Sequence, residues 1–225
     1  LIGTSRSSMA GCINYGNVSS EGLHGCGGIV GHLYVGSMSN CFNEGKVEGT
    51  EVVGGIAGEI ARSAKIYNCY NKGEVVGNLG KMSEFGMEGT QWAGISGIVG
   101  FSYPEANYIP EVKNCLNLGT VSNRKVSENV GAILGNNKDE IIISNCYWLY
   151  DEQNNVGMEE GAGVIHVLGH MESCYALTQE QIKGNAPIQS TLYISDDNVV
   201  YRKLLNALNA LAYDINNSGS YKLSG

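Results

Sequence analysis

The sequence predicts an all-β fold: a β-helix-like solenoid of about five coils, with a small α-helical cap at the C-terminal end. Three observations carry the prediction. The pattern C-x-N-x-G-x-V recurs four times along the chain. A glycine-rich block alternates with it. The 225 residues include 32 Gly and only 3 Pro, with the glycines at fixed offsets between apolar residues and not in a collagen register.

The first pattern stands at Cys12-Ile-Asn14-Tyr-Gly16-Asn-Val18 and returns at Cys41, Asn43, Gly45 and Val47. The third copy is Cys69, Asn71, Gly73 and Val75; the fourth is Cys115, Asn117, Gly119 and Val121. A decayed fifth copy has Cys146, with Trp148 in the asparagine position. Three residues before each cysteine stands Met9, Met38, Ile66, Val112 or Ile143. The second block reads Gly27-Gly28-Ile29-Val30-Gly31, then Gly54–Gly58, Ser96–Gly100 and Gly131–Gly135. Ile2-Gly3 fits the end of such a block, so the array is expected to run in from before Leu1.

Short β-branched and aromatic runs such as Lys65-Ile66-Tyr67, Val75-Val76 and Ile141-Ile142-Ile143 favour strands. Successive cysteines lie 29, 28, 46 and 31 residues apart. A period near 28 holding several short strands makes one coil, and stacked coils bring equivalent residues into ladders ~4.8 Å apart. Three inward apolar rows follow: Met9–Ile143, Val18–Val121 and Ile29–Ile133. Asn14, Asn43, Asn71 and Asn117 are expected to form an amide ladder. Gly16, Gly45, Gly73 and Gly119 are expected at turns with φ > 0. The longer spacings place insertions at 77–92 and 102–110, at coil corners.

Seven cysteines invite a disulfide or metal reading. Cys12, Cys41, Cys69, Cys115 and Cys146 form one row, however, and equivalent side chains on parallel coils point the same way, which suits a disulfide poorly. No C-x-x-C pair occurs, which argues against zinc. The row is therefore read as small apolar side chains at a tight corner. Cys26 and Cys174 are expected to lie off it.

The array is expected to span 1–176. Beyond it, Thr178–Gln181 reads as a capping box and Ser195-Asp196-Asp197 as a second helix start. Val200, Leu204, Leu208 and Leu211 then share one helical face, so 177–225 is expected to be a helical cap or the start of another domain.

Formal charge is −8 with scattered basic residues, which excludes nucleic acid as a partner. No apolar run approaches the ~18 residues of a membrane helix, so membrane attachment would need an anchor elsewhere. His166 and His170 have zinc-peptidase spacing, but Val167 stands where the general-base Glu is required. Arg62 and Arg124 have no acidic partner repeated across coils, unlike the clusters of polysaccharide-cleaving β-helices. No catalytic residue, metal or cofactor is expected, and the chain is read as a monomer that is not an enzyme. The binding candidates are Trp92, Tyr103 and Tyr108, aromatic residues of the insertions that the coil does not require. The stripe Phe42, Tyr70 and Tyr147 after the cysteines reads as structural.

Gly28-Ile29-Val30-Gly31, Gly55-Ile56-Ala57-Gly58 and Gly97-Ile98-Val99-Gly100 resemble the GLUG motif, with Ala132 replacing its first glycine in the fourth copy. Asn68–Val75 carries the flanking pattern typical of such proteins. The resemblance covers roughly residues 1 to 148. It implies a β-solenoid from a large secreted or surface protein of bacteria, such as the region upstream of the catalytic domain in IgA-specific metallopeptidases. It further implies an extracellular scaffold or adhesive role with a host protein or glycan as partner. It transfers no catalytic residue. The alternatives are an accessory region of such a peptidase or a glycan-binding or glycan-processing β-helix.

Overall fold

A computed structural model describes residues 2–22, 24–78, 93–103, 105, 107–124, 129–138, 140–149, 162–165, 170–172 and 174–178, with backbone alone at 162–165, 170 and 171. All of them belong to a compact unit spanning Leu1–Pro187. Among them every regular element is a short strand, and every strand pair is parallel. The chain visits five sheets in fixed rotation and begins again, so each strand pairs with its equivalent one circuit away. The result is β-helix-like.

The first sheet holds Ile2–Ser5, Val30–Leu33, Ala57–Ala61, Val99–Tyr103, Leu134–Asn137 and Ala162–Ile165. The second holds Met9–Ala10, Ser37–Ser39, Lys65–Tyr67, Glu111–Lys113, Ile142–Ser144 and His170–Glu172. The third holds Ile13–Asn14, Phe42–Asn43, Tyr70–Asn71, Leu116–Asn117, Tyr147–Leu149 and Tyr175–Leu177. Val18–Ser19, Val47–Glu48, Val75–Gly77 and Val121–Asn123 make the fourth; Cys26–Gly27, Val52–Gly54, Gly94–Ser96 and Val130–Gly131 make the fifth.

The expected rows are in register. Met9 pairs with Met38, then Ile66, Val112 and Ile143. Val18 pairs with Val47, Val75 and Val121. Ile29, Ile56, Ile98 and Ile133 are buried together; the Ile29 and Ile56 amides donate to Ile56 O and Ile98 O of the next circuit, and the Ile98 amide donates to Ser96 Oγ. A side chain of this kind contributes about 1.5–3 kcal/mol when fully buried, but only with a circuit above and below it. Among the described residues the first circuit has a neighbour on one side, and its Ile2 is 40% exposed.

The conserved-looking glycine after each asparagine does a different job from the one expected. Gly16, Gly45, Gly73 and Gly119 do not have positive φ. A Cβ on Gly45 would collide with the carbonyl oxygen of Gly16, one on Gly73 with Gly45, and one on Gly119 with Gly73. Close stacking of circuits excludes a side chain there. The left-handed turn falls instead on the residue before each cysteine: Gly11 (φ 65°), Asn40 (53°), Asn68 (52°), Asn114 (53°) and Asn145 (52°). Asn tolerates that region better than most side chains, which explains its recurrence.

The glycine block packs the fifth sheet directly on the first. A Cβ on Gly27 would strike the Val30 carbonyl, one on Gly54 the Ala57 carbonyl, and one on Gly135 the amide of Ile95. Two backbones meet there with no side chain between them. The second glycine of the block has another neighbour, since a Cβ on Gly28, Gly55 or Gly97 would enter the carboxamide of Asn43, Asn71 or Asn117. In the next circuit both members change: Ala132 replaces glycine and Trp148 replaces asparagine, each buried.

Three boundaries shift. Ser102 and Tyr103 pair with Ile60 and Ala61, so the second insertion starts after Tyr103. A strand expected at 164–168 begins two residues earlier, at Ala162–Ile165. Cys174 precedes Tyr175, which pairs with Tyr147, so Cys174 extends the cysteine row instead of lying off it. Most of the 77–92 insertion, including Trp92, and the helices expected beyond Thr178 lie outside the described residues.

Candidate functional site

The corner between the first and second sheets carries an ordered set of outward side chains. Ser5, Leu33, Ile60, Ser102 and Asn137 are register partners in successive circuits. The next residue along each strand gives the line Arg6, Tyr34, Ala61, Tyr103 and Lys138. At the third circuit Ala61 offers nothing, but Arg62 adopts φ 51° and brings its guanidinium over Tyr34. Tyr34 is thus held between Arg6, 4.8 Å from its ring centre, and Arg62, at 4.5 Å. Lys138 Nζ lies 4.7 Å from the Tyr103 ring centre. Cations over aromatic faces contribute about 0.5–1 kcal/mol each at exposed sites.

The inserted loop is tied to this stack through Glu105. Its carboxylate forms an ion pair with Arg62 Nε at 2.9 Å and accepts from the Tyr34 hydroxyl at 2.9 Å. The Arg62 contact, with the tyrosine bond second, holds the Glu105 carboxyl below its ordinary range. Beyond this anchor Tyr108 is 51% and Ile109 38% exposed. Among the described residues the other large exposed hydrophobics are Ile2 and Tyr15. The corner therefore presents an apolar tip braced by a charged, stacked base.

Beside it, on the second sheet, Glu111 gathers Lys113 at 2.7 Å, Lys65 at 2.8 Å and the Tyr67 hydroxyl at 2.9 Å. Lys113, then Lys65, bring its pKa down to about 2. A carboxylate so committed is a poor proton carrier near neutrality. Arg124 pairs with Glu48 at 2.7 Å, and neither this pair nor Arg62–Glu105 repeats along the axis.

Of the expected binding residues, Tyr103 and Tyr108 lie on this corner, and Tyr103 belongs to the circuit itself, opposite Ala61. Arg6, Tyr34, Glu105 and Lys138 went unrecognised in the sequence. One signal was available: Arg6, Tyr34 and Arg62 are each 28 residues apart, the length of a circuit. His170 opens a strand, not the helix a zinc peptidase needs, and His166 lies outside the described residues.

The amide ladder forms as expected. Asn14 Nδ2 donates to Asn43 Oδ1, Asn43 to Asn71, and Asn71 to Asn117, each at 2.8 Å. Each Nδ2 also donates to the carbonyl of the glycine two residues on. The row thiols Cys41, Cys69, Cys115 and Cys146 are fully buried, and all seven cysteines are free. Burial pushes the Cys115 thiol well up and that of Cys26, in the fifth sheet, to about 11. The stripe after the cysteines is in register, with Phe42 and Tyr70 stacked at 4.8 Å and 6°.

No family model matches the chain, and no curated protein does. Among solved structures, the fold is similar to that of a protein from Bacteroides ovatus described as a proposed immunoglobulin A1 protease, with a TM-score of 0.52 and 20% identity. The match covers 79% of this chain and 51% of that one, so this chain corresponds to about half of the larger protein. At that identity the likeness is one of fold: parallel β-sheets in a β-helix-like arrangement.

Proposed function

We propose that this chain is a non-catalytic extracellular scaffold, a β-solenoid of GLUG-type repeats from a bacterial surface or secreted protein, presenting inserted loops to a host protein or glycan. The observation that carries the reading is the contrast at the corner. Circuit residues satisfy one another in ladders, while Tyr108 and Ile109 project from an insertion that the circuit does not need. Exposed aromatic tips on a rigid base are the usual anchors of recognition. A second reading, an accessory region of an IgA-type peptidase, draws on the Bacteroides ovatus likeness.

The test is binding of the chain to a glycan array and to immobilised immunoglobulin A1, repeated with Tyr108→Ala and Trp92→Ala. A ligand lost at least ~10-fold with Tyr108→Ala, at unchanged circular dichroism, supports presentation by the corner. Retention by Tyr108→Ala and loss by Trp92→Ala moves the site to the other insertion. Cleavage of either target by the purified chain refutes the non-catalytic reading.

A further inference from the structure

Six cysteines stand in one line through the core. The residues that follow them, Ile13, Phe42, Tyr70, Leu116, Tyr147 and Tyr175, are register partners in the third sheet, so Cys12, Cys41, Cys69, Cys115, Cys146 and Cys174 are neighbours in that order. Their side chains share one orientation. Each Sγ lies against the carbonyl two residues back, at 3.3 Å for Cys41, Cys69, Cys115 and Cys174, 3.4 Å for Cys146 and 3.8 Å for Cys12. Cys69, Cys115 and Cys146 also approach a carbonyl of the preceding circuit, at 3.9, 3.9 and 3.6 Å. Identical rotamers on stacked strands repeat the sulfurs at the strand spacing, ~4.8 Å.

That spacing has a chemical consequence. A disulfide needs S–S contact near ~2 Å and Cβ atoms turned toward each other, which a uniform row does not provide. Four-ligand zinc needs convergence, and among the described residues no three His, Cys, Asp or Glu side chains converge on a point. Two sulfurs facing one ion in line, one thiolate and one thiol, are a different case. With metal–sulfur bonds of roughly 2.3 Å they stand about 4.6 Å apart, close to the repeat of the row. Soft closed-shell monovalent ions of the Cu(I) class prefer thiolates and accept two of them.

We propose that the thiol row is a linear binding track for soft monovalent metal ions, each held between the sulfurs of two adjacent circuits. Cys12 and Cys174 are half-buried, and the thiols between them are closed to solvent. The step is an exchange without redox change. One S–H bond breaks, one metal–sulfur bond replaces it, the second sulfur coordinates as a thiol, and one proton leaves to solvent for each ion bound. The site stays neutral overall, as a dry core requires. Its occupancy therefore falls as pH falls.

The experiment is anaerobic titration of the reduced chain with Cu(I), read by near-ultraviolet thiolate-to-copper absorption, proton release and circular dichroism. The expected result is saturable uptake of about one ion per two row thiols, with strand content unchanged and a higher melting temperature. Cys69→Val, which keeps an apolar side chain in the row, is expected to lower the uptake. Cys26→Ala, outside the row, is expected to leave it as it was. Uptake only in step with loss of strand signal, equal uptake by Cys69→Val and wild type, or no absorption change at all overturns the proposal. Should Cys69→Val fail to fold, Cys174→Ala at the half-buried end serves the same comparison.

Discussion

A carboxamide in a dry interior must find partners for two N–H groups and an oxygen. Asn71 does so within its row: it donates to Gly73 O at 3.0 Å and to Asn117 Oδ1 at 2.8 Å, and accepts from Asn43 at 2.8 Å. Asn71→Leu strands one Asn43 N–H and takes the side-chain donor from Gly73 O, each costing about 1–3 kcal/mol, while Asn117 Oδ1 keeps the Gly119 amide at 3.2 Å. The expected loss is therefore at least ~2 kcal/mol in denaturant unfolding, and a loss under ~0.5 kcal/mol would contradict the ladder's role. Glycine substitution separates stacking from turning. Gly73→Ala drives a methyl into the Gly45 carbonyl, whereas the nearest atom to a Cβ on Gly16 is Asn14 Oδ1 at 3.7 Å. Gly73→Ala is expected to cost more than ~2 kcal/mol and Gly16→Ala under ~1 kcal/mol. A left-handed turn at these glycines would have penalised both alike. The asparagine row could be read from the sequence because identical residues recurred at one period. The reason for the glycines could not, because φ and steric exclusion leave the same letter.

Within one element, the second sheet concentrates its polar contacts at Glu111. The carboxyl titrates at about 2 when folded, below the ~4.3 of an unfolded glutamate. A depressed value of this kind adds stability that is fully present above ~4.3 and is lost as pH falls toward 2. Wild-type unfolding midpoints should decline across that window, and Glu111→Gln should flatten the decline while lowering stability at pH 7. Parallel slopes in the two proteins would show that other carboxylates carry the effect. The partners Lys65, Tyr67 and Lys113 were legible only as a strand pattern. Which residue faces which across circuits depends on the 46-residue step from Cys69 to Cys115, and only the register resolves that step. The stack on the first sheet was hidden for a related reason. Cation and aromatic alternate along it, so no residue type recurs in successive circuits.

At the scale of the whole molecule, the fold is an array whose corners accept extra chain. Replacing residues 104–110 with a three-residue link like Arg62-Ser63-Ala64, which joins Ala61 to Lys65, should preserve the circular dichroism spectrum and shift stability by no more than about 1 kcal/mol. The same variant should lose any ligand that needs Tyr108. A collapse of the fold would mean that the loop is part of the core and not an appendage. The middle circuits were legible because they repeat nearly the same burial pattern, whereas the place of Cys174 was not. The corner was half legible: its aromatic tip departs from the pattern, but its base is built from side chains that only the three-dimensional register brings together.

The amide ladder also has a direction. Asn14, Asn43 and Asn71 each donate from Nδ2 to the Oδ1 of the asparagine in the next circuit. The side-chain dipoles are therefore aligned head to tail, and the column is electrically polar along the fibre axis. Asn14 Oδ1 accepts from the Gly16 amide, and on the other side the column stops where Trp148 pairs with Asn117. Duplicating a circuit within the column extends it, because the new asparagine meets a donor behind and an acceptor ahead. Duplicating one past Trp148 leaves the new carboxamide cut off from the line. The amide column thus stops where amide gives way to indole, while the strands pair on past it, Trp148 with Ala176.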